Sequence, residues 1–254
     1  MSIFSKVKIA DLFTLANGLL GFIAITYIVD HSYLAASLLI LVAMVMDGLD
    51  GYIARLTGSE RAIGRILDSI SDSISFCVAP ALLIYGIFYN KEQNILLSIN
   101  NLMTLAASAL LAIFGIARLV RYAGKDFASS TFLGLPTPAC ALATILLCYL
   151  FAGSKASFFY LTNQPYLVLS FCLAMAFLMI SDIAYPKVRG WIRGMTLAGI
   201  ILTAIPAILG LIFPGLYMII IRVFAGIAFI LIMGYVLGGP LISWGAARGQ
   251  VADG

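Results

Sequence analysis

Long apolar runs, separated by short polar stretches, follow one another along the whole sequence. Each run has about 20 residues, the length that an α-helix needs to cross the hydrocarbon core of a bilayer. The pattern predicts eight membrane-spanning helices. Their predicted bounds are 11–29, 33–56, 64–89, 102–122, 135–152, 166–184, 194–213 and 216–237.

The composition agrees with a membrane protein. Of the 254 residues, 63% are hydrophobic and only 10% are charged, and the mean hydropathy is +1.09. A soluble domain of this size needs more polar residues to cover its surface. We therefore predict an all-α polytopic membrane protein with a single transmembrane domain over 11–237. A juxtamembrane interfacial segment, 1–10, precedes it, and a cytoplasmic tail, 238–254, follows it.

Four carboxylates, Asp47, Asp50, Asp68 and Asp72, interrupt this apolar pattern within 26 residues. The first two come near the end of the second predicted helix, and the other two come near the start of the third. At about 100° per residue, each pair falls on one face of its helix. The short turn between the helices makes them antiparallel neighbours, so we expect the two acidic faces to meet.

Carboxylates at the edge of a bilayer repel one another unless positive charge compensates them. Oxygen ligands suit hard divalent cations, and two pairs on facing helices suit a two-metal site that holds phosphoryl oxygens. Gly48, Gly51 and Ala54 leave space beside the acids for a bulky group, and Arg55 would point at an anion. The structural alternative is a polar helix contact in which the acids pair with Arg55 or Arg65.

The basic residues predict the orientation of the protein. Of the fifteen Lys and Arg residues, twelve fall on the side of the acidic residues and the two termini. The other side holds Lys91, Lys155 and Arg222. By the positive-inside rule, the termini and the acidic residues face the cytoplasm, as expected for a protein of the cell membrane. The basic residues follow span boundaries and form no patch with aromatic residues, so nucleic acid is not an expected partner.

The spacing of the acidic residues resembles the signature of the CDP-alcohol phosphotransferases. All eight fixed positions of that signature are present with the correct gaps. They read Asp47-x-x-Asp50-Gly51-x-x-Ala54-Arg55, then eight residues, then Gly64-x-x-x-Asp68-x-x-x-Asp72. The signature covers about a tenth of the chain, and six of the predicted spans fit the family core.

Four further segments resemble the phosphatidylserine synthase branch of this family. They are 14–21 (TLANGLLG), 67–81 (LDSISDSISFCVAPA), 118–122 (RLVRY) and 132–139 (FLGLPTPA). Two spans beyond the six-helix core also fit this branch. One position departs from it, because Cys77 stands where glycine is usual.

The resemblance implies a reaction and a set of roles. A CDP-lipid would transfer its lipid phosphoryl group to an alcohol and release CMP, with two Mg²⁺ or Mn²⁺ ions as cofactors. Asp47, Asp50, Asp68 and Asp72 would hold the metal ions, and Asp72 would also take the proton from the attacking hydroxyl as a general base. The residues expected to bind the CDP-lipid are Asp47, Gly48, Asp50, Gly51, Ala54, Arg55, Gly64 and Asp68. The family also implies a homodimer.

L-serine is the acceptor that this branch implies, and Arg118 and Arg121 are the candidates to bind its carboxylate through a guanidinium fork. Both could instead be ordinary membrane-boundary anchors. Glycerol phosphate or inositol phosphate as acceptor would keep the chemistry, but each should need a denser basic cluster. Two other classes remain as alternatives. A prenyltransferase would carry widely separated acidic pairs, and a divalent-cation transporter would carry acids near the bilayer midplane.

Overall fold

A computed structural model of the protein describes residues 8–58, 62–93, 98–123, 131–151, 165–186 and 217–252. Within these ranges the chain is almost entirely helical. The elements are α1 (Ile9–Val29), α2 (Tyr33–Leu56), α3 (Ala62–Asp72), a π-helical turn (Ser73–Val78), α4 (Ala79–Phe88), α5 (Ile99–Ala123), β1 (Thr131–Leu133), α6 (Thr137–Phe151), α7 (Pro165–Ile180), β2 (Ala184–Pro186) and α8 (Tyr217–Ala252).

Five helices among the described ranges are long and apolar enough to cross a membrane. They are Ile9–Val29, Tyr33–Leu56, Ile63–Phe88, Ile99–Tyr122 and Val223–Trp244, and shorter apolar helices cover Thr137–Cys148 and Pro165–Ile180. The prediction of a helical membrane protein is therefore confirmed, whereas the count of eight spans stays a prediction. The predicted span 194–213 lies outside the described residues.

Helix α1 shows how the bundle is held together. Its buried positions recur every three or four residues and are mostly small or polar, whereas large apolar side chains point outward. The buried positions are Ala10, Thr14, Asn17, Gly21, Ala24 and Ile28. The exposed ones include Leu12, Leu15, Leu19 and Phe22. This is the reverse of a soluble helix and is typical of membrane helices, where small residues let backbones approach and large ones face lipid.

The closest of these approaches is at Gly21, against the π-helical turn. A Cβ atom at Gly21 would lie 2.7 Å from the Cα atom of Ser75, so only glycine fits without a shift of backbone. The contact brings α1 against the helix that carries Asp68 and Asp72. The polar face of α1 is thereby directed at the acidic residues.

The third predicted span is not one regular helix. A π-helical turn separates α3 from α4, and the N–H of Ala79 donates to the carbonyl of Ile74 across it. Pro80, at the start of α4, has no N–H to donate, which suits the irregular hydrogen bonding of this region. The sequence predicted a proline kink here, and the structure has an irregular turn that ends two residues before Pro80. The Cys77 side chain of this turn packs against Gly115, which has no Cβ atom to obstruct it.

One predicted span boundary and one predicted loop were wrong on the side of the bundle that carries the acids. Helix α7 ends at Ile180, and Ala184 belongs to β2, which pairs antiparallel with β1 in a region predicted as loop. Gly134 follows β1 with a φ of 76° and lies against the backbone of Met179, a conformation that favours glycine. The ladder and this turn tie the end of α7 to the start of α6.

The last helix extends beyond its predicted end at Leu237. Helix α8 continues through Pro240 to Ala252, so no break occurs at Gly238. The hydroxyl of Ser243 donates to the carbonyl of Ala184 at 2.6 Å, and Gly239 lies directly against the ring of Tyr185. Packing against β2 therefore holds this part of the chain as helix, although its glycines and proline favour a break.

Candidate active site

Helices α2 and α3 bring three of the four predicted acids together. Carboxylate oxygens of Asp47, Asp50 and Asp68 all lie within 4.8 Å of one another. Asp50 is buried, and the other two are partly buried. The helical spacing that placed one acidic pair on each helix therefore produces a single cluster, as the sequence predicted.

Asp72 lies beside this cluster and is held from another direction. It is buried at the end of α3, and its Oδ1 accepts a hydrogen bond from the Nδ2 of Asn17 at 2.9 Å. Asp47 interacts electrostatically with both Asp68 and Asp72, so it links the fourth acid to the other three. Three of the four acids therefore form the cluster, and Asp72 is linked to it through Asp47.

Sequence reasoning did not assign a role to the two α1 residues that orient these acids. The hydroxyl of Thr14 donates to Oδ2 of Asp50 at 2.7 Å, and Asn17 donates to Asp72. A signal was present in the sequence, because Thr14 and Asn17 are polar residues one turn apart in an apolar run. Each fixes the orientation of one carboxylate and lowers the cost of burying it.

The residues present fit a divalent metal ion. The cluster offers only carboxylate oxygens, the ligand type that hard divalent cations prefer. Three acids this close and this buried repel one another strongly without a compensating positive charge. Asp47, Asp50 and Asp68 could therefore hold such an ion, and Asp72 lies close enough to Asp47 to take part in a second site.

A cavity of about 250 Å³ opens beside the acidic cluster. Most residues expected to bind the CDP-lipid line it, and α1 adds a wall that the sequence did not predict. Its lining is Ala10, Asp11, Thr14, Asp50, Gly51, Ala54, Arg55, Gly64, Arg65 and Asp68. The cavity is large enough for part of a nucleotide, and it places an apolar wall, two arginines and the acids around one space.

Contacts within the described part of the protein do not require the two glycines at the end of α2. A Cβ atom at Gly48 would meet no atom within 4 Å, and one at Gly51 would meet only the guanidinium of Arg55, at 3.6 Å. Gly51 lines the cavity. The missing side chain therefore leaves space that no described part of the protein fills.

The two arginines predicted for the acceptor lie in different environments. Arg118 is buried, with its guanidinium carbon 5.0 Å from the centre of the Tyr122 ring, and it lies within electrostatic reach of Asp72. Arg121 is partly exposed and forms an ion pair of 2.5 Å with Asp182. The two arginines are one turn apart but have different partners, and their joint role in acceptor binding stays a prediction.

Comparisons with known proteins agree with the motif. The family model described as CDP-alcohol phosphatidyltransferase matches residues 7–180. A CDP-diacylglycerol–serine O-phosphatidyltransferase of Helicobacter pylori is 35% identical over 182 residues, which cover 70% of this chain and 72% of that protein. A protein of the same description from Methanocaldococcus jannaschii is 37% identical over 186 residues, covering 73% of this chain and 77% of the relative.

One archaeal relative is named after a different lipid, archaetidylserine. The archaetidylserine synthase of Methanothermobacter thermautotrophicus is 35% identical over 191 residues, which cover 73% of this chain and 72% of that protein. The family match extends over more than half of the chain and includes α1, the acidic cluster and the cavity. The protein belongs to the CDP-alcohol phosphatidyltransferase family.

Proposed function

We propose that the protein transfers the lipid phosphoryl group of a CDP-lipid to the hydroxyl of L-serine and releases CMP. The observation that carries this proposal is the position of the acidic cluster at a cavity lined by the motif residues Gly51, Ala54 and Arg55. The names of the curated relatives supply the acceptor. Both a diacylglycerol lipid and an archaeal lipid present the same CDP headgroup, so either fits this site.

Different residues of the site have different proposed roles in the reaction. Asp47, Asp50 and Asp68, with Asp72, would hold two ions, and Mg²⁺ and Mn²⁺ both accept such oxygen ligands. When bound, these ions supply positive charge that makes the diphosphate more electrophilic and CMP a better leaving group. Arg55, which lines the cavity, would interact with the phosphates of the nucleotide.

Asp72 is the proposed general base. The serine hydroxyl loses its proton to the Asp72 carboxylate while its oxygen forms a bond to the lipid-bearing phosphorus, and the bond from that phosphorus to the CMP oxygen breaks. Asn17 keeps the carboxylate oriented by its hydrogen bond to Oδ1. Arg118, buried near Asp72, would bind the carboxylate of serine. Arg121 could join it only by leaving its ion pair with Asp182.

The charge distribution along the sequence supports an orientation in the cell membrane. We infer that the acidic cluster and both termini face the cytoplasm, because the eight-span prediction assigns twelve basic residues to that side and three to the other. Eight spans would place both termini there, with one domain over 11–237 between the interfacial segment and the tail. A homodimer is expected from the family resemblance.

The proposal is tested by CMP release from the protein reconstituted into liposomes. CMP should form from a CDP-lipid only when L-serine and a divalent ion are both present, and chelation of the metal should stop it. Both CDP-diacylglycerol and CDP-archaeol should be supplied. Release with glycerol phosphate or inositol phosphate but not with L-serine would overturn the choice of acceptor. Metal uptake into sealed liposomes without CMP release would overturn the enzyme assignment itself.

Gly51→Ala is expected to raise the KM for the CDP-lipid about tenfold or more. The new methyl group fills space in the cavity, and overpacking costs about 1–3 kcal/mol. Alanine has a higher helix propensity than glycine. The nearest atom to the added Cβ is 3.6 Å away, so the fold should be retained. The measurement is initial rates at varied CDP-lipid and saturating serine.

Gly234→Ala is the matched control for this variant. Gly234 also lies in a helix, and no atom of the described residues lies within 4 Å of a Cβ added there, but it does not line the cavity. It should leave both KM values unchanged. If Gly51→Ala behaved like this control, the cavity would not be where the CDP-lipid binds.

A further inference from the structure

Asn17 lies on α1 where this helix packs closely against the helix that carries Asp72. A Cβ atom at the next residue, Gly18, would lie only 2.9 Å from Oγ of Ser71. The Asn17 side chain is fully buried. Its amide is therefore enclosed at the contact between the two helices.

The two ends of the Asn17 amide are used unequally. Its Nδ2 donates to Oδ1 of Asp72 at 2.9 Å. A carboxylate only accepts hydrogen bonds, so the NH₂ group faces Asp72 and the carbonyl oxygen, Oδ1, does not make this contact. That oxygen is buried, and no donor among the described residues reaches it. Because a buried acceptor without a donor costs free energy, Oδ1 of Asn17 points to a ligand.

The hydroxyl groups near Asn17 already donate to other acceptors. Thr14, one turn earlier on α1, donates to Oδ2 of Asp50 at 2.7 Å. Ser75, in the π-helical turn, donates to the carbonyl of Ser71 at 2.9 Å. A hydroxyl has a single hydrogen to donate, so neither group can reach Oδ1 of Asn17 without giving up its present bond.

A second buried oxygen without a donor belongs to the acidic cluster itself. It is Oδ1 of Asp68, to which no described residue donates. Asp47 interacts electrostatically with both Asp68 and Asp72, and Asp72 is the acid that Asn17 contacts. Both unpaired oxygens therefore belong to one group of side chains. Oxygen acceptors that lack donors and lie among carboxylates suit a hard cation.

The Asn17 oxygen is close enough to Asp72 for both residues to bind one ion. The oxygen and nitrogen atoms of an amide lie about 2.3 Å apart. With the 2.9 Å hydrogen bond, Oδ1 of Asn17 is within about 5 Å of Oδ1 of Asp72. Hard divalent ions bind oxygen at about 2.0–2.6 Å, so two ligands of one ion lie at most about 5 Å apart. Amide carbonyls are among the ligands that such ions accept.

An unpaired amide oxygen is not sufficient to indicate an ion, and Asn100 provides the comparison. Its Nδ2 donates to the carbonyl of Phe88 at 3.3 Å, and its Oδ1 is also buried without a donor among the described residues. This hydrogen bond is made to the backbone at the end of α4 and not to an acid. Asn17 differs because its amide is bonded to a carboxylate, so Asn100 is a matched control.

We propose that Asn17 is a ligand of one of the two divalent ions, with its amide oxygen binding the ion beside Asp47 and Asp72 while its amide nitrogen holds Asp72. The inference rests on the proposed two-ion site, and it adds a neutral ligand from α1 to the acids of α2 and α3. It goes beyond the orientation of Asp72, for which only the amide nitrogen is needed.

The test measures the Kd of Mn²⁺ for the full-length protein in liposomes, from the rise of thermal stability with Mn²⁺ concentration. The titrations are made with and without CDP-lipid, and L-serine is omitted so that no transfer to it occurs. Asn17→Ala, which lacks both ends of the amide, should raise the Kd at least about tenfold. Asn100→Ala should leave the Kd unchanged.

Asn17→Asp separates the two roles of the amide. A carboxylate keeps an oxygen for the ion, but it has no hydrogen to donate to Asp72. This variant should bind Mn²⁺ at least as tightly as the wild-type protein, because added negative charge favours the ion. If Asn17→Asp weakened Mn²⁺ binding as much as Asn17→Ala, the amide would serve only to orient Asp72, and the inference would be wrong.

Asn17→Cys gives a second measurement that does not add a carboxylate to the acidic group. A thiolate favours Zn²⁺ over Mn²⁺. If residue 17 binds the ion directly, the ratio of the two Kd values should shift toward Zn²⁺ by about tenfold or more. A residue that only orients Asp72 would not change this preference, so an unchanged ratio would also overturn the inference.

Failure of this inference and failure of the proposed function give different results. If the wild-type protein binds Mn²⁺ and Asn17→Ala behaves like Asn100→Ala, only the inference fails. If the wild-type protein gains no stability from Mn²⁺ with or without CDP-lipid, the inference fails together with the two-ion site. The proposed transfer is judged separately, by CMP release from the wild-type protein.

Discussion

Asp68→Asn is expected to reduce turnover at least about a hundredfold while the protein still inserts into the membrane. Asp68 supplies one of the three clustered carboxylates and also lines the cavity, so the variant removes a negative ligand where the diphosphate would bind. Loss of a single electrostatic stabiliser of a transition state typically lowers kcat by about 10²- to 10³-fold. The measurement is CMP release at saturating CDP-lipid, L-serine and divalent ion.

The same substitution should not damage the fold. Asparagine has nearly the same shape as aspartate, and it relieves repulsion among buried carboxylates in the metal-free protein. The thermal stability without metal should therefore be equal or higher, whereas the stabilisation gained on adding Mn²⁺ or Mg²⁺ should shrink. This second measurement reports metal binding independently of turnover.

Asp30→Asn is the matched control for this experiment. Asp30 is an exposed acid that follows the opposite end of α1 from the acidic cluster, and the substitution makes the same chemical change there. It should leave both turnover and the metal-induced stabilisation unaltered. Undiminished activity of Asp68→Asn beside a normal control would rule out Asp68 as a metal ligand.

Helical spacing alone predicted most of the acidic site. Pairs at three and four residues fall on one face of a helix, and the short connection between α2 and α3 makes those faces meet. Asp47, Asp50 and Asp68 accordingly converge. The precise grouping could not be predicted, because it depends on α1. Asn17 of α1 donates a hydrogen bond to Asp72, and nothing local to α3 indicates that contact.

For Arg118 and Arg121, helical spacing did not predict the environment of each side chain. Positions 118 and 121 are one turn apart, so the sequence favoured a shared anion site. At the end of α5, however, one side of the helix faces the bundle and the neighbouring side faces the surface. Arg121 is paired with Asp182, which is 61 residues away in sequence, and no pattern within α5 reports that partner.

The remaining wrong predictions concern elements that are stabilised by contacts between residues far apart in sequence. Strands β1 and β2 have three residues each, too few for an alternating pattern to be recognised. Helix α8 continues through Gly239 and Pro240 because β2 packs against it, an effect of tertiary structure that overrides local propensity.

Asp72→Asn is expected to lower kcat about 10²- to 10⁴-fold, the usual contribution of a general base, and to weaken CDP-lipid binding much less. The amide removes the proton-accepting charge, but its oxygen can still accept the hydrogen bond that Asn17 donates.

Comparison with Asp68→Asn makes this prediction specific. Both variants replace one acid of the same group by its amide, yet Asp68→Asn should reduce metal-induced stabilisation and CDP-lipid affinity together with turnover. Asp72→Asn should retain most of the CDP-lipid affinity, measured by equilibrium binding in the presence of the divalent ion, while single-turnover CMP formation is slow. If CDP-lipid affinity collapsed in Asp72→Asn while residual turnover persisted, Asp72 would serve in binding alone, and another group would have to accept the proton of the acceptor hydroxyl.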